Sequence, residues 1–220
     1  MKVAKDTVFA ETKQLDRLTI ELKGFEKEVG QATYYALNRT IDYTITQVGR
    51  IIPKSYAIKA SEVKDSFKGG VKKPSKTDLT ASLTSTGHTL SFAHFPFKPK
   101  TDKRGKRSVF QNAVTVTIKK AKGNVLVKKG FVAKTGAKSK DKTQYNVWMR
   151  LGTFSTMTKG RYEGQQREEI APIRTLSIPQ MITNDGVAEQ IQQAAMKKLD
   201  ERLEHEIARI MTSMDQKIRR

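Results

Sequence analysis

The stretch AVTVTIKKAKGNVLVKKGFVA, residues 113–133, decides the class of the fold. Val114, Val116 and Ile118 alternate with Thr115, Thr117 and Lys119. That period of two puts apolar side chains on one face of a strand and polar ones on the other. Lys122-Gly123-Asn124 supplies a hairpin turn. Residues 125–133 return, with an irregularity expected at 128–130. Downstream, 145–151 alternates again, with Val147 and Met149 opposite Trp148. Upstream, Leu79, Ser82-Leu83 and 90–92 read as short strands around a turn at Thr86-Gly87. The middle of the chain is therefore expected to be antiparallel β.

Both flanks change period. Leu15, Leu18, Leu22, Phe25, Val29, Ala32 and Ala36 step by three and four, which gathers them on one helix face. Leu37, Ile41, Ile45, Val48 and Ile52 continue in a different frame, so the stripe is expected to wind or the helix to bend near Asn38. Gly24 and Gly30 weaken the interior by ~1 kcal/mol each relative to Ala. Pro53 closes the pattern. A helix over 10–52 would be ~60 Å long, more than a small core needs, which favours packing between subunits. Residues 60–67 read as a short amphipathic turn with Ser61 as N-cap, ended by Gly69-Gly70. Residues 152–182 read as loop-rich, with Pro172 and Pro179 bracketing an extended piece, 173–178. Val187, Ile191, Ala195, Leu199, Leu203, Ile207, Ile210, Met214 and Ile218 keep helical spacing, with Asn184 or Asp185 as cap. The expectation is one α+β domain over 1–220. It has a helix at 10–52, a β-rich basic core at 53–183 and a helix at 184–219. A central antiparallel sheet lies between the two long helices.

Charge divides the chain the same way. The 220 residues carry 42 Lys+Arg against 22 Asp+Glu, net +20. Residues 51–150 hold 23 basic and 5 acidic side chains, net +18, while each flank is close to neutral at +1. Such an excess points to an anionic partner, most often nucleic acid. Two stretches concentrate it. KPKTDKRGKRS (98–108) contributes Lys98, Lys100, Lys103, Arg104, Lys106 and Arg107. KTGAKSKDKT (134–143) contributes Lys134, Lys138, Lys140 and Lys142. Both read as loops with too little apolar content to pack. A hairpin of 113–119 with 125–133 would bring them to one rim of the sheet. Lysines outnumber arginines there and no aromatic ladder interleaves them, so the pattern suits backbone attraction without base reading.

Several chemistries are disfavoured. With no Cys there is no disulfide, thiolate metal site or cysteine nucleophile, and three scattered His leave little for a histidine metal site. No G-x-S-x-G, H-E-x-x-H or phosphate-cradling glycine loop occurs. Glu201, Glu204 and His205 share a helix face, but a solvated row of i,i+4 pairs explains them. Glu168-Glu169 beside Arg167 and Arg174 reads as salt bridging, and His94 in AHFPF as a packed or partner-facing ring. No cofactor and no metal are expected. No run of ~20 apolar residues suggests a membrane span, and the start lacks the apolar stretch of a signal peptide.

Four segments together resemble the phage minor tail protein Z family. QATYYALNRTIDYTITQVGRIIPKSYAIKASEVKDSF (31–67) is similar to the family's opening, an Ala-Leu-Asn-Arg-Thr helix followed by Tyr-x-Ile-Lys. Here these are Ala36-Leu37-Asn38-Arg39-Thr40 and Tyr56-Ala57-Ile58-Lys59. VWMRLG (147–152) followed by EIAPIRTLSIPQMI (169–182) resembles a second signature, an arginine-bearing strand before a Pro-Ile…Leu…Pro-x-Met run. The matches keep the family's order over roughly 30–195, and the lysine-rich 98–108 is no part of the pattern. The resemblance implies a structural virion protein of a long-tailed phage and not an enzyme. It would act in tail completion or at the head–tail junction as a homo-oligomeric ring, sixfold to match a tail tube. Its partners would be other tail and neck proteins. It would reside in the virion tail after assembly in the bacterial host cytoplasm. Leu37, Arg39, Ile41, Ile45, Pro172 and Ile173 are the expected contacts between copies. Arg39 would reach an acidic neighbour, and the basic loops would face genomic DNA in the lumen. The alternative is a protein that coats nucleic acid non-specifically.

Overall fold

A computed structural model describes residues 4–8, 26–99, 114–139, 142–184 and 186–218. In chain order the elements are β1 (Ala4–Val8), α1 (Glu26–Ser55), α2 (Ala60–Asp65), β2 (Val71–Lys72) and β3 (Ser82–Gly87). A 3-10 turn at Phe92–His94 precedes β4 (Phe97–Lys98) and β5 (Val114–Val116), and a second at Lys120–Lys122 precedes β6 (Val125–Val127). Then come β7 (Gly130–Ser139), β8 (Lys142–Thr156), β9 (Gln166–Pro172), α3 (Ile178–Ile182) and α4 (Val187–Ile218). The class is α+β, with a long helix towards each end and antiparallel sheets. The strands form three three-stranded sheets, ordered β1-β3-β2, β4-β5-β6 and β7-β8-β9. The chain divides into two compact units. One comprises Met1–Pro53, Ala60–His88 and Ile178–Arg220; the other comprises Lys54–Lys59 and Thr89–Ser177.

In the first unit, α1 and α4 meet through Ala36, Leu199 and Leu203, with Val29, Leu37 and Ile207 packed around them. Ala36 is small enough to leave room for the two leucines. The buried row of α1 runs Ala32/Thr33, Ala36, Thr40/Ile41, Thr44, Val48 and Ile51/Ile52 without a break. The expected frame change at Asn38 is absent from this row, because threonines fill the inner positions that an apolar count skips. Thr33 donates its hydroxyl to the Val29 carbonyl (2.9 Å) and Thr44 to the Thr40 carbonyl (2.8 Å), which makes their burial tolerable.

Three boundaries differ from expectation. Pro53 lies inside the last turn of α1, and the helix continues to Ser55. A proline this near a helix end removes one donor, and the residues beyond it can still close the turn. Ser61 falls within α2 rather than before it. Thr86-Gly87 is no turn, since β3 pairs through it with β1, Ala4 opposite Gly87 and Val8 opposite Leu83. The helical expectation for 10–25, with Leu15, Leu18, Leu22, Gly24 and Phe25, lies outside the described residues.

In the second unit, β5 and β6 form the hairpin read from 113–133, pairing Val114 with Val127 and Val116 with Val125. Lys120–Lys122 and Gly123, at φ +62°, make the connection. Val114 and Val116 are buried. Ile118 accepts the Ala57 N–H (2.8 Å) and Lys119 bridges Tyr56, so the alternating face continues against the segment after α1. The irregularity at 128–130 is a complete break, since Gly130 opens β7 in a different sheet. A Cβ at Gly130 would fall 2.8 Å from Val127 Cγ1 and 3.0 Å from Val147 Cγ1, so a side chain there would have to displace one or both valines where the chain passes from one sheet into the next.

β8 is the spine of the last sheet. Its first half pairs with β7, Val132 opposite Val147 and Lys134 opposite Tyr145. Its second half pairs with β9, Trp148 opposite Pro172 and Phe154 opposite Glu168. The expectation of loop for 134–143 and for 152–182 is therefore corrected at both places. Each stretch is mainly a hairpin, because backbone pairing along a fifteen-residue strand does not need an apolar face at every position. The Pro-bracketed segment after β9 is extended, as expected. It crosses beside 90–92, with Leu90 N–H to Leu176 O, Thr175 N–H to Leu90 O and Phe92 N–H to Ile173 O. Residues 90–92 pair with this segment and lead into a 3-10 turn rather than forming a separate strand. Ile178 begins α3, where Pro179 occupies a first-turn position that needs no N–H.

Candidate assembly and nucleic-acid surfaces

The charge follows the division into units. Counted over the whole sequence, the second unit holds 22 basic and 5 acidic side chains, net +17. The first holds 20 and 17, net +3. The basic excess thus falls in the sequence of one unit.

Of the ten lysines and arginines in the two basic stretches, four are placed. Lys98 is exposed in β4 opposite Thr115. Lys134 is exposed in β7 opposite Tyr145. Lys138 pairs with Thr143, and Lys142 with Ser139, at the end of the β7–β8 hairpin. Lys100, Lys103, Arg104, Lys106, Arg107 and Lys140 lie outside the described residues. The expectation of a shared rim needs a strand running unbroken through 125–133. Because that strand breaks at 128–129, Lys98 and Lys134 belong to different sheets and the expectation loses its premise.

A second group of lysines sits in what the sequence presents as turn material. Lys120 and Lys122 precede β6, Lys128 and Lys129 follow it, and all four are exposed. Among the described residues none of them makes an ion pair. Lys119, beside them, lies 5.7 Å over the Tyr56 ring. The sequence signal of this group is KKAK and KK on either side of a three-residue strand.

The residues expected to join copies scatter. Ile41 is buried in the first unit, so it is a core residue of the single chain and not a surface contact. Leu37 packs against the α1–α4 core. Arg39 is exposed and makes no ion pair among the described residues, while Asn38 Nδ2 donates to the Tyr34 carbonyl (3.0 Å). Ile45 is half-buried. Pro172 ends β9 opposite Trp148, and Ile173 donates its N–H to the Val147 carbonyl (3.0 Å).

The arginine of VWMRLG has a clear role. Arg150 Nη1 donates to Glu168 Oε2 (2.8 Å) on β9, and its guanidinium lies 5.4 Å from the centroid of the Phe131 ring on β7. One side chain on β8 thus ties both neighbouring strands. Among the described residues the partners are not the expected Arg167 and Arg174: Glu168 pairs with Arg150, and Glu169 accepts from the Thr153 hydroxyl (2.8 Å).

Among the described residues no three of His, Cys, Asp and Glu come together as a metal set. Glu201 accepts from Lys198 Nζ (2.7 Å), and that contact holds its carboxyl below the ordinary value. His205 lies 3.8 Å from Glu206, whose other oxygen accepts from Arg209 Nε (2.8 Å). His94 is exposed between the buried Phe92 and Phe95. An apolar pocket of about 90 Å³ in the first unit is lined by Leu37, Ile41, Thr44, Leu83, Ile191 and Leu199, among others, and no titratable side chain faces it. Ligand sites are commonly ~300–1,000 Å³, so this one suits packing better than a substrate. No helix among the described residues is long and apolar enough to cross a membrane. Compared with protein family models, curated proteins and solved structures, the chain matches none.

Proposed function

We propose that this protein is a structural virion component of a long-tailed phage, assembling as a ring in tail completion or at the head–tail junction. One observation carries the reading. The two parts of the second signature that resembles the tail protein Z family are register partners in one hairpin, with Trp148 opposite Pro172, Met149 opposite Ala171 and Arg150 opposite Ile170. Pieces separated by sixteen residues in sequence thus form one structural element held by Arg150 and Glu168. The localised charge adds support, since a ring multiplies the second unit's +17 about one axis, where genome or an acidic neighbour passes.

Electron microscopy of virions bearing labelled protein is the test. Label at the neck or tail end, with rings from the purified chain, is the expected outcome; virions without label refute the reading. The same charge favours a second reading, a non-specific nucleic-acid coat. That one requires binding by the isolated monomer, with a steep loss between low and moderate salt.

A further inference from the structure

The β4–β5–β6 sheet carries charge of one sign. Lys119, Lys120, Lys122, Lys128 and Lys129 lie around β6. β4 adds Lys98 at the other edge, opposite Thr115. Tyr56 bridges Lys119, and the Ala57 N–H donates to the Ile118 carbonyl (2.8 Å). The segment with Lys54 and Lys59 therefore joins the same sheet. All of these lysines except the half-buried Lys119 are exposed, and among the described residues none makes an ion pair. No Asp or Glu occurs in 54–59, 89–98 or 114–139. Of the second unit's five acidic residues, Glu163, Glu168 and Glu169 lie along the arm formed by the distal part of the β8–β9 hairpin, in or beside a different sheet. Asp102 and Asp141 lie outside the described residues. Lysines gathered this way without carboxylates repel one another and attract an anion.

The side chains choose among anions. Every cation here is a lysine, a point charge that meets phosphate oxygens but lacks the planar fork that reads base edges. No exposed aromatic lies on these segments, since Tyr56, Phe92 and Phe95 are buried and Phe97 is half-buried. Single-stranded bases therefore find no stacking platform. A protein partner fits less well, because the cores of protein interfaces are depleted of Lys and enriched in aromatics, Met and Arg. Val125 and Leu126 are exposed on β6, but a three-residue edge strand flanked by lysines is guarded against pairing with another strand. Lys122 and Lys128 can lie up to ~20 Å apart along the chain. Duplex nucleic acid presents on the order of twelve phosphate charges over that length.

We infer that the β4–β5–β6 sheet, with the segment 54–59 beside it, binds the phosphate backbone of double-stranded nucleic acid without regard to base sequence. Seven of its eight lysines fall outside the two basic stretches that stand out in the sequence, 98–108 and 134–143. The inference rests on the reading in which the basic unit meets the genome, and it names the surface that does so.

Fluorescence anisotropy of the full chain with two labelled duplexes of unrelated sequence, and with one single strand, tests it. Two variants each remove three exposed positive charges from the same unit. Lys120→Ala/Lys128→Ala/Lys129→Ala takes them from the sheet, and Lys159→Ala/Arg161→Ala/Arg167→Ala takes them from the arm. Circular dichroism checks that both fold. Wild type should bind the two duplexes equally and the single strand more weakly. The sheet variant should lose ~2.7 from the log–log salt slope, ~0.9 for each phosphate contact removed. Between ~50 and ~200 mM salt its affinity should therefore fall ~40-fold less than that of wild type. The arm variant should keep the wild-type slope, and Lys120→Arg/Lys128→Arg/Lys129→Arg should too. Equal losses in the sheet and arm variants would reduce the effect to bulk charge and overturn the inference. So would polyglutamate that displaces the labelled duplex as well as unlabelled duplex does, which would make the surface one for acidic protein. Rings that form without binding duplex overturn this surface and leave the assembly reading. Duplex binding by the sheet, with virions that carry no label, keeps the surface and removes the tail reading.

Discussion

Gly70→Ala is expected to destabilise the first unit, and the cause is backbone rather than side chain. A Cβ there would sit well inside van der Waals contact with the Thr84 carbonyl oxygen and 3.0 Å from its carbon. Thr84 is in β3, the middle strand, paired with β1 on one side and beside β2 on the other. It cannot retreat from Gly70 without straining a ladder. The two residues are also bonded, Thr84 N–H to Gly70 O at 2.8 Å. Overpacking costs ~1–3 kcal/mol and loss of that bond ~1 kcal/mol, together ~2–4 kcal/mol. For a chain of this size that lowers Tm by about 10 °C. Gly30→Ala is the control, because nothing lies within 4 Å of its Cβ position. Alanine in that helix interior should stabilise by ~1 kcal/mol. Urea and thermal unfolding followed by far-UV circular dichroism measure both. A Gly70→Ala protein that melts at or above the wild-type temperature would refute the close approach.

Arg150→Ala removes the Glu168 ion pair and the cation–π contact with Phe131, both partly exposed, and should cost ~1–2 kcal/mol in urea unfolding. Arg150→Lys should recover less than half, since an ammonium lacks the planar fork that serves both partners. Leu199→Ala opens a void against Ala36 and should cost ~2–5 kcal/mol. The Asp78 carboxyl is lowered to about 2 by the Thr80 hydroxyl and by Lys72. Because the folded value lies below the ordinary 3.8, the stabilisation is present above pH 3.8 and is lost as pH falls towards 2. A carbon-detected NMR titration should give that midpoint, and Thr80→Val should raise it. Neutralising Lys103, Arg104, Lys106 and Arg107 should weaken DNA retention and flatten its salt dependence, by ~0.9 in log–log slope for each phosphate left without a cation. Unchanged retention by rings that still form would remove DNA from the role of those residues.

Alternation and helical stepping locate the hairpin at 113–133, α1 beyond residue 26 and α4, because each buries one face. They fail where burial is not the organising force. Thr33 and Thr44 hide in α1 by bonding backward and Thr40 is buried between them, so an apolar count sees a frame change that the buried row lacks. The β8–β9 arm exposes nearly every side chain, so its sequence looks like loop although its backbone is paired. Gly130 reads as an irregularity and is the point where the chain changes sheets, a distinction set by Val127 and Val147, which only the fold brings together. The basic residues are legible as composition. Their grouping around β6 is not, because KKAK and KK look like ordinary turn chemistry.

The first unit is assembled from three separated lengths of chain, and α4 is in the last of them. That sets an order of events at the ribosome. Thr89–Ser177 is synthesised, and Lys54–Lys59 with it, before α4 exists, so the basic unit can fold while translation continues. α1 emerges early but must wait for Leu199 and Leu203, more than 160 residues downstream of Ala36. Contacts so distant form slowly, and the waiting apolar face of α1 is the surface through which nascent chains would aggregate. Slowing translation anywhere between residues 89 and 199 lengthens that wait and should therefore lower soluble yield, whereas slowing it before α1 is made should not.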